Sequence, residues 1–128
     1  MVVDSSALVA ILRAEPGHER FLQKALGADR TVVGATVAFE TAMVLSGRWR
    51  RDARSTLYGL IRTIDAEIVP FTEEHYEAAV SAFLRYGKGR HPAGLNFGDC
   101  MSYAFARVSG LPLLYTGNDF SKTDVQAA

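Results

Sequence analysis

Residues 2–12 read VVDSSALVAIL: two β-branched apolar residues, one acid, two serines and an apolar run. Val2-Val3 predicts a short buried strand, and Ser6 to Arg13 predicts a helix. A strand that leads through a turn into a helix is the start of a crossover unit, in which the next strand lies parallel to the first. Asp4 is the single charge between the two apolar segments.

The same alternation of short apolar runs and amphipathic segments continues along the chain. Further strands are predicted at 31–33, 67–71 and 111–115, and further helices at 18–28, 36–46, after Asp52, at 73–86 and after Asn96. Four residues are predicted to cap helices: Thr36, Asp52, Thr72 and Asn96. Gly47 is expected to stop the helix that Thr36 begins, and Asp99 to complete a capping box with Asn96. Alternating strands and helices predict an α/β fold with a mostly parallel sheet covered on both faces.

Composition limits the class of protein. The chain has 128 residues, 48% hydrophobic and 22% charged, which predicts one globular domain over residues 1–128 and excludes a disordered, collagen-like or coiled-coil chain. A single cysteine, Cys100, excludes an internal disulfide and a cysteine zinc site, and it favours a reducing compartment. No apolar run is long enough to span a bilayer, and the apolar N-terminus has no basic segment before it. We therefore expect a soluble, cytoplasmic protein with no membrane partner.

Four acids fall where the strands of such a sheet end. Asp4 ends the first strand, Glu40 lies in the helix after the second, Asp99 in the first turn of its own helix, and Asp119 shortly after the last strand. Sites of open parallel sheets form beyond the carboxyl ends of the strands, so these acids are expected to meet at one edge. Glu40 is almost the only charge in an apolar helix, whereas capping and a turn would also explain Asp99 and Asp4.

Carboxylates brought together repel one another, so a clustered set needs a neutralising partner. No lysine is spaced to pair with all four acids, whereas Mg²⁺ and Mn²⁺ prefer carboxylate and water oxygens. Carboxylate-bound Mg²⁺ typically serves phosphoryl chemistry, in which it activates a water molecule and stabilises transition-state charge. The residues alone therefore favour a metal-dependent phosphoryl-transfer site.

The acidic motifs resemble those of the PIN-domain ribonucleases, and among them the VapC toxins of toxin–antitoxin pairs. The match extends over the whole chain and in the family's order. It is carried by Val2-Val3-Asp4-Ser5-Ser6, by Glu40 near a helix start, by Asn96-Phe97-Gly98-Asp99-Cys100 and by Leu113-Leu114-Tyr115-Thr116-Gly117-Asn118-Asp119-Phe120 with Thr123-Asp124.

The resemblance implies a PIN-like three-layer α/β/α sandwich with a central sheet of four or five strands. It implies an endoribonuclease in which Asp4, Glu40, Asp99 and Asp119 are catalytic and Asp4 and Asp99 bind Mg²⁺ or Mn²⁺. Glu40 would position a metal-bound water or a second metal, and the number of ions stays open. Asp124 is an alternative to Asp119 as the fourth acid.

The same resemblance implies partners and supporting groups. The implied partners are an RNA substrate, a second copy of the chain in a homodimer and an antitoxin protein that covers the acidic groove. Ser6 and Thr116 would support the carboxylates through hydrogen bonds.

Basic residues form two clusters although the net charge of the chain is zero. One contains Arg48, Arg50, Arg51 and Arg54 around Trp49, and the other contains Arg85, Lys88 and Arg90. Basic segments beside an acidic centre suit RNA, but solvated helix ends explain either cluster equally well.

The residues argue against two other classes of protein and leave a third open. A phosphoacceptor signalling domain needs adjacent acids after the first strand, and a haloacid-type phosphatase needs Asp-x-Asp there, whereas Asp4 is followed by two serines. A non-catalytic RNA-binding or protein-interaction module on the same scaffold stays open.

Overall fold

Four short strands form the central sheet of the computed structural model, which describes residues 1–128. They are β1 (Val2–Val3), β2 (Thr31–Gly34), β3 (Ala66–Val69) and β4 (Leu113–Leu114), all parallel and in the order β3-β2-β1-β4. Val2, Val3, Val32 and Val33 are all at most 2% exposed. Since neighbouring residues of a strand point to opposite faces, the sheet is covered on both sides. This confirms the predicted α/β fold and its three-layer α/β/α architecture.

Six α-helices provide the two outer layers. They are α1 (Ser5–Leu12), α2 (His18–Leu26), α3 (Ala35–Trp49), α4 (Arg54–Thr63), α5 (Glu73–Tyr86) and α6 (Phe97–Ser109), and a short 3₁₀ helix spans Phe120–Lys122. None of these helices has the length and apolar character needed to cross a membrane.

The C-terminal tail adds to the free edge of β4. The Leu113 amide donates to the Gln126 carbonyl at 2.8 Å, and the Ala128 amide donates to the Leu113 carbonyl at 2.9 Å. These bonds form one isolated parallel bridge between Leu113 and Ala127. The tail therefore covers an edge that would otherwise expose unpaired backbone groups.

The predicted start and end of α3 were wrong. The helix begins at Ala35 with Gly34 as its N-cap, so Thr36 lies inside the first turn, and it continues through Gly47 to Trp49. An exposed glycine costs a helix about 1 kcal/mol relative to alanine. The burial of Val37, Thr41 and Leu45 along the inner face of α3 outweighs that cost.

The other predicted caps differ in accuracy. Thr72 and Asn96 do form capping boxes, with His75 and Asp99 as their respective partners. Asp52 is one residue early: Ala53 is the N-cap of α4, while the Asp52 side chain accepts a hydrogen bond from the Arg54 amide at 2.9 Å.

Gly34 allows α6 to lie close to the end of β2. The ring of Phe105 lies over Gly34 so closely that a Cβ added to Gly34 would be 2.0 Å from a ring carbon. Phe105 itself is 1% exposed and contacts the rings of Phe71 and His75 at centroid distances of 5.8 and 4.5 Å. This contact fixes α6, and with it Asp99, against the carboxyl ends of the strands.

Candidate active site

Asp4 is a buried carboxylate at the end of β1. It is 3% exposed and is the N-cap of α1, where its Oδ2 accepts hydrogen bonds from the Ser6 amide at 2.9 Å and the Ser6 hydroxyl at 2.5 Å. Its Oδ1 accepts a hydrogen bond from the Ser102 hydroxyl at 2.5 Å. Hydrogen bonds to an ionised carboxylate are short and strong, so these donors hold Asp4 in one orientation.

Two serines connect Asp4 to distant segments. Ser6 donates to Asp4 and accepts from the Thr116 amide at 3.1 Å, so it joins the start of α1 to the segment after β4. Thr116 thus contributes its backbone N–H to this network. Ser102 was missed in the sequence analysis, although it lies three residues after Asp99 and therefore on the same helical face.

Asp99 occupies the first turn of α6. Its Oδ2 accepts a hydrogen bond from the Asn96 amide at 3.0 Å, so the residue completes the predicted capping box. The pKa of Asp99 is raised to about 6: burial is the main cause, the negative charges of Asp4 and Asp119 act in the same direction, and the Asn96 hydrogen bond opposes the shift. The residue therefore caps its helix and also lies within the field of two other acids.

Glu40 lies opposite, on α3. Burial raises the pKa of Glu40, the charges of Asp4 and Asp99 act in the same direction, and the nearby Ser5 side chain opposes the shift. The Oε2 atom of Glu40 is buried and has no hydrogen-bond partner. A Cβ added to Gly98 would lie 2.6 Å from this atom, so the carboxylate rests directly on the backbone of α6.

Asp119 and Asp124 have different surroundings. Asp119 is exposed at the start of the 3₁₀ helix, near enough to raise the pKa of Asp99. Asp124 accepts a hydrogen bond from the Tyr103 hydroxyl at 2.6 Å and forms ion pairs with Arg85 at 3.2 Å and Arg107 at 4.0 Å. These interactions lower the pKa of Asp124. They also attach the C-terminal tail to α5 and α6 through the Asp124 carboxylate.

The four acids influence one another but do not form a complete metal cage. No three of the His, Cys, Asp and Glu side chains are grouped closely enough to hold a metal ion by themselves. An octahedral ion such as Mg²⁺ usually takes only one or two protein carboxylates and keeps several water ligands. The unpartnered Glu40 Oε2 and the raised pKa values of Glu40 and Asp99 fit a site that gains a cation.

The two basic clusters differ in their contacts. In the first, the Arg51 guanidinium stacks on the Trp49 ring at 4.8 Å. In the second, Arg85 is paired with Asp124, and Arg90 stacks on Phe83 at 5.2 Å. Trp49 therefore has an intramolecular stacking partner, and a role in binding RNA stays a prediction for both clusters.

Gly98→Ala is expected to reduce activity at this site without unfolding the protein. The new methyl group would overlap the Glu40 carboxylate and push it away from the other acids. A displacement of about 1 Å costs a catalytic arrangement on the order of 100-fold in rate. The measurement is kcat for the RNA cleavage that the resemblance implies, alongside a thermal melt.

Gly47→Ala is the matched control for this substitution. Gly47 lies in an exposed part of α3, and a Cβ there meets no atom within 4 Å. We expect unchanged cleavage and a gain of about 0.5–1 kcal/mol in unfolding free energy. An unaltered kcat in Gly98→Ala would contradict a catalytic position for Glu40.

Comparison with known proteins identifies the family of this chain. The PIN domain family model matches residues 1–126. Ribonuclease VapC36 of Mycobacterium tuberculosis is 46% identical over 127 residues, which cover 98% of this chain and 91% of the relative. Ribonuclease VapC of Mycolicibacterium smegmatis is 44% identical, with 99% of this chain and 98% of the relative covered.

Two solved structures share the fold. One is Mycobacterium tuberculosis VapC20, described as a toxin that cleaves the sarcin-ricin loop, with a TM-score of 0.79 at 20% identity, covering 99% of this chain and 97% of that one. The other is a toxin–antitoxin complex from Klebsiella pneumoniae, with a TM-score of 0.73 at 16% identity and coverage of 99% and 95%. The family match over nearly the whole chain and the identity to curated VapC ribonucleases show that this chain belongs to the PIN domain family.

Proposed function

We propose that this protein is a metal-dependent endoribonuclease and the toxin of a toxin–antitoxin pair. The observation that carries the proposal is the meeting of Asp4, Glu40 and Asp99 at one edge of the sheet, with Asp119 beside them. Its curated relatives are named ribonucleases over almost the same length. An acidic centre of this kind on a PIN fold suits hydrolysis of RNA phosphodiester bonds.

The proposed metal is Mg²⁺, with Mn²⁺ as a substitute, held by Asp4 and Asp99. When bound, such an ion neutralises the carboxylates and lowers the pKa of a coordinated water. Asp4 is suited to this role because three hydrogen bonds fix its orientation. Asp99 is suited because its capping bond uses only Oδ2 and leaves Oδ1 without a hydrogen bond from the protein.

The other two acids have distinct proposed roles. Glu40 is proposed to position a metal-bound water or a second metal ion. Asp119 extends the acidic surface on the exposed side of Asp99. In the proposed reaction a water oxygen bonds to phosphorus, one P–O ester bond breaks, and the departing oxygen takes up a proton. The products are a phosphate monoester and an alcohol, and no RNA 2′-hydroxyl is required.

The proposed partners are an antitoxin and a second copy of this chain. One of the similar structures is a toxin–antitoxin complex, which supports the first. An apolar groove of about 600 Å³ between α5 and α6 supports the second, since it exposes Tyr76, Val80, Phe83 and Phe97. The proposed location is the cytoplasm, where RNA and reducing conditions are found together.

Cleavage of RNA by the purified, antitoxin-free protein tests the proposal. Structured and single-stranded RNA are each incubated with the protein in Mg²⁺, in Mn²⁺ and in EDTA. We expect cleavage only in the two samples that contain metal. Binding without cutting under all metal conditions would contradict the proposal and favour a non-catalytic RNA-binding module.

The raised pKa of Asp99 predicts a pH dependence. Protons compete with a cation for this carboxylate, so at limiting Mg²⁺ cleavage should fall about tenfold per pH unit below about 6. Saturating Mg²⁺ should move the fall to lower pH. A pH–rate profile at two Mg²⁺ concentrations measures both effects.

In EDTA the free energy of unfolding should depend on pH in the opposite sense to cleavage, so that it falls as the pH rises. The folded pKa of Asp99, about 6, lies above the ordinary value of 3.8, so the folded state binds the proton more tightly. Stability from this group is therefore present at low pH and is lost as the pH rises through 6. Thermal melts at pH 5 and pH 7 should show a larger change in wild type than in Asp99→Asn, and equal changes would contradict the shift.

A further inference from the structure

Four apolar side chains surround a cavity between α3 and the start of α6. Phe39 and Met43 lie on α3, and Phe97 and Met101 lie on α6. Phe39 is 69% exposed, Met43 57% and Phe97 83%. Single exposed apolar residues are common on proteins, but several around one cavity mark a binding surface. The cavity volume of about 530 Å³ is within the range of pockets that hold small ligands.

The cavity borders the acidic centre without containing it. Glu40 is the only charged residue in the cavity wall, and it lies within the field of Asp4 and Asp99. Asn96 also lines the cavity and shares both hydrogen bonds of the capping box with Asp99, at 2.9 and 3.0 Å. A group bound in the cavity and a group bound at the carboxylates can therefore be neighbouring parts of one substrate molecule.

Asn96 gives this apolar cavity one free polar group. Its Oδ1 atom accepts the hydrogen bond from the Asp99 amide, which fixes the orientation of the side chain. Its Nδ2 group donates to no protein acceptor, so two N–H donors are left for a ligand. Nucleobases match this set of contacts, because their flat faces stack on aromatic rings and their edge atoms accept hydrogen bonds.

Basic residues continue from the cavity along α3. Arg48 and Arg50 follow Met43 within about two helical turns, both are exposed, and neither forms an ion pair. A phosphate backbone that leaves the cavity in this direction would meet both guanidinium groups. This charge favours a nucleic acid over an apolar protein segment, which would leave the two arginines without partners.

We propose that Phe39 and Phe97 bind one unpaired nucleobase of the RNA, next to the phosphate that is cleaved. The base stacks on these rings, and the Nδ2 group of Asn96 donates to an acceptor atom on its edge. A base held in this way has left any double helix, so the site selects single-stranded or looped RNA. This inference rests on the proposed ribonuclease function and adds a substrate class to it.

Phe39→Leu tests the inference, because leucine keeps an apolar side chain and removes the ring. Phe39 borders this cavity alone, whereas Phe97 also lines the groove proposed for a second copy. We expect KM for single-stranded RNA to rise roughly 5–100-fold, as for the loss of one base-stacking ring, with kcat within a few-fold of wild type. Phe39→Trp keeps a ring and should keep KM close to that of wild type. Because Phe39 is exposed, both variants should melt with wild type.

RNA that lacks one base provides a second measurement. The cleavage position is first mapped on a single-stranded RNA, and each neighbouring nucleotide is then replaced in turn by an abasic one. At one position the rise in KM of wild type should equal that of Phe39→Leu on intact RNA. The two changes together should cost no more than either alone, because both remove the same stack. A merely structural role of Phe39 would make the two losses add.

Tyr58→Leu is the matched control. Tyr58 is 50% exposed on α4 and lies outside this cavity. We expect its KM and kcat to match wild type. An equal rise in KM would mean that the loss of any exposed ring weakens RNA binding, and it would overturn the inference.

Two further results would overturn the inference. One is additive losses for Phe39→Leu and the abasic RNA. The other is an unchanged KM in Phe39→Leu, and if that variant also lost its second copy or its antitoxin, the cavity would belong to a protein partner. Each result leaves wild-type cleavage intact, so the proposed function would survive. A wild-type protein that cleaves no RNA with Mg²⁺ or Mn²⁺ would contradict the proposed function itself.

Discussion

Asp99→Asn is expected to lower RNA cleavage by at least about 10³-fold while the protein stays folded. A metal ion contributes several kcal/mol of transition-state stabilisation, and each 1.36 kcal/mol corresponds to a tenfold change in rate. The substitution removes the charge that holds the cation but keeps an oxygen that can accept the Asn96 hydrogen bond. The capping box of α6 should therefore survive. The measurement is single-turnover cleavage of labelled RNA, with circular dichroism to check folding.

Asp119→Asn and Asp124→Asn extend the same assay to the fourth acid. Asp119 lies near Asp99, so its substitution should also reduce cleavage. Asp124 is bonded to Tyr103 and paired with Arg85, so its substitution should lower the melting temperature and keep kcat within a few-fold of wild type. If Asp124→Asn abolished cleavage at full stability and Asp119→Asn did not, the assignment would be reversed.

Phe105→Ala is expected to lower the free energy of unfolding by about 3–5 kcal/mol. Phe105 is 1% exposed, and its ring fills the space between Gly34 on the sheet and the rings of Phe71 and His75. Gly34 has no side chain that could refill the cavity. A loss of this size is a large part of the stability of a small domain, so α6 should lose its fixed position. Chemical denaturation followed by circular dichroism measures the effect.

Phe97→Ala is the matched control, since it is the same substitution in the same helix. Phe97 is 83% exposed, so its removal should change the unfolding free energy by no more than about 0.5 kcal/mol. Equal destabilisation by the two substitutions would contradict the packing described for Phe105.

Local sequence patterns predicted most of the helices and strands. Helix α5 has the predicted bounds of 73–86, and the caps at Thr72 and Asn96 depend only on residues within one helical turn. Thr36 was predicted as a cap from its preference for that position. In the structure Gly34, in extended conformation, ends β2 and caps α3 directly, so the cap lies two residues earlier than predicted and the Thr36 hydroxyl is buried without a partner.

The candidate acids could also be selected from the sequence, and their catalytic roles stay predictions. Asp4 and Glu40 are isolated charges in apolar segments, and buried carboxylates are rare without a partner. The role of Asp99 was ambiguous because capping and metal binding use the same residue type. The structure shows that the capping bond occupies Oδ2, so the two roles are compatible.

The order of residues along this chain is enough to predict the α/β class and to select the four candidate acids, because periodicity, caps and isolated charges are local properties. Tertiary structure alone set the strand order β3-β2-β1-β4 and brought Ser102 to Asp4 across 98 positions. It also packed the Glu40 carboxylate against the backbone of Gly98 and brought Asp124 into a hydrogen bond with Tyr103. These contacts join segments far apart in the chain, and their geometry depends on how the helices pack on the sheet, which no local pattern encodes.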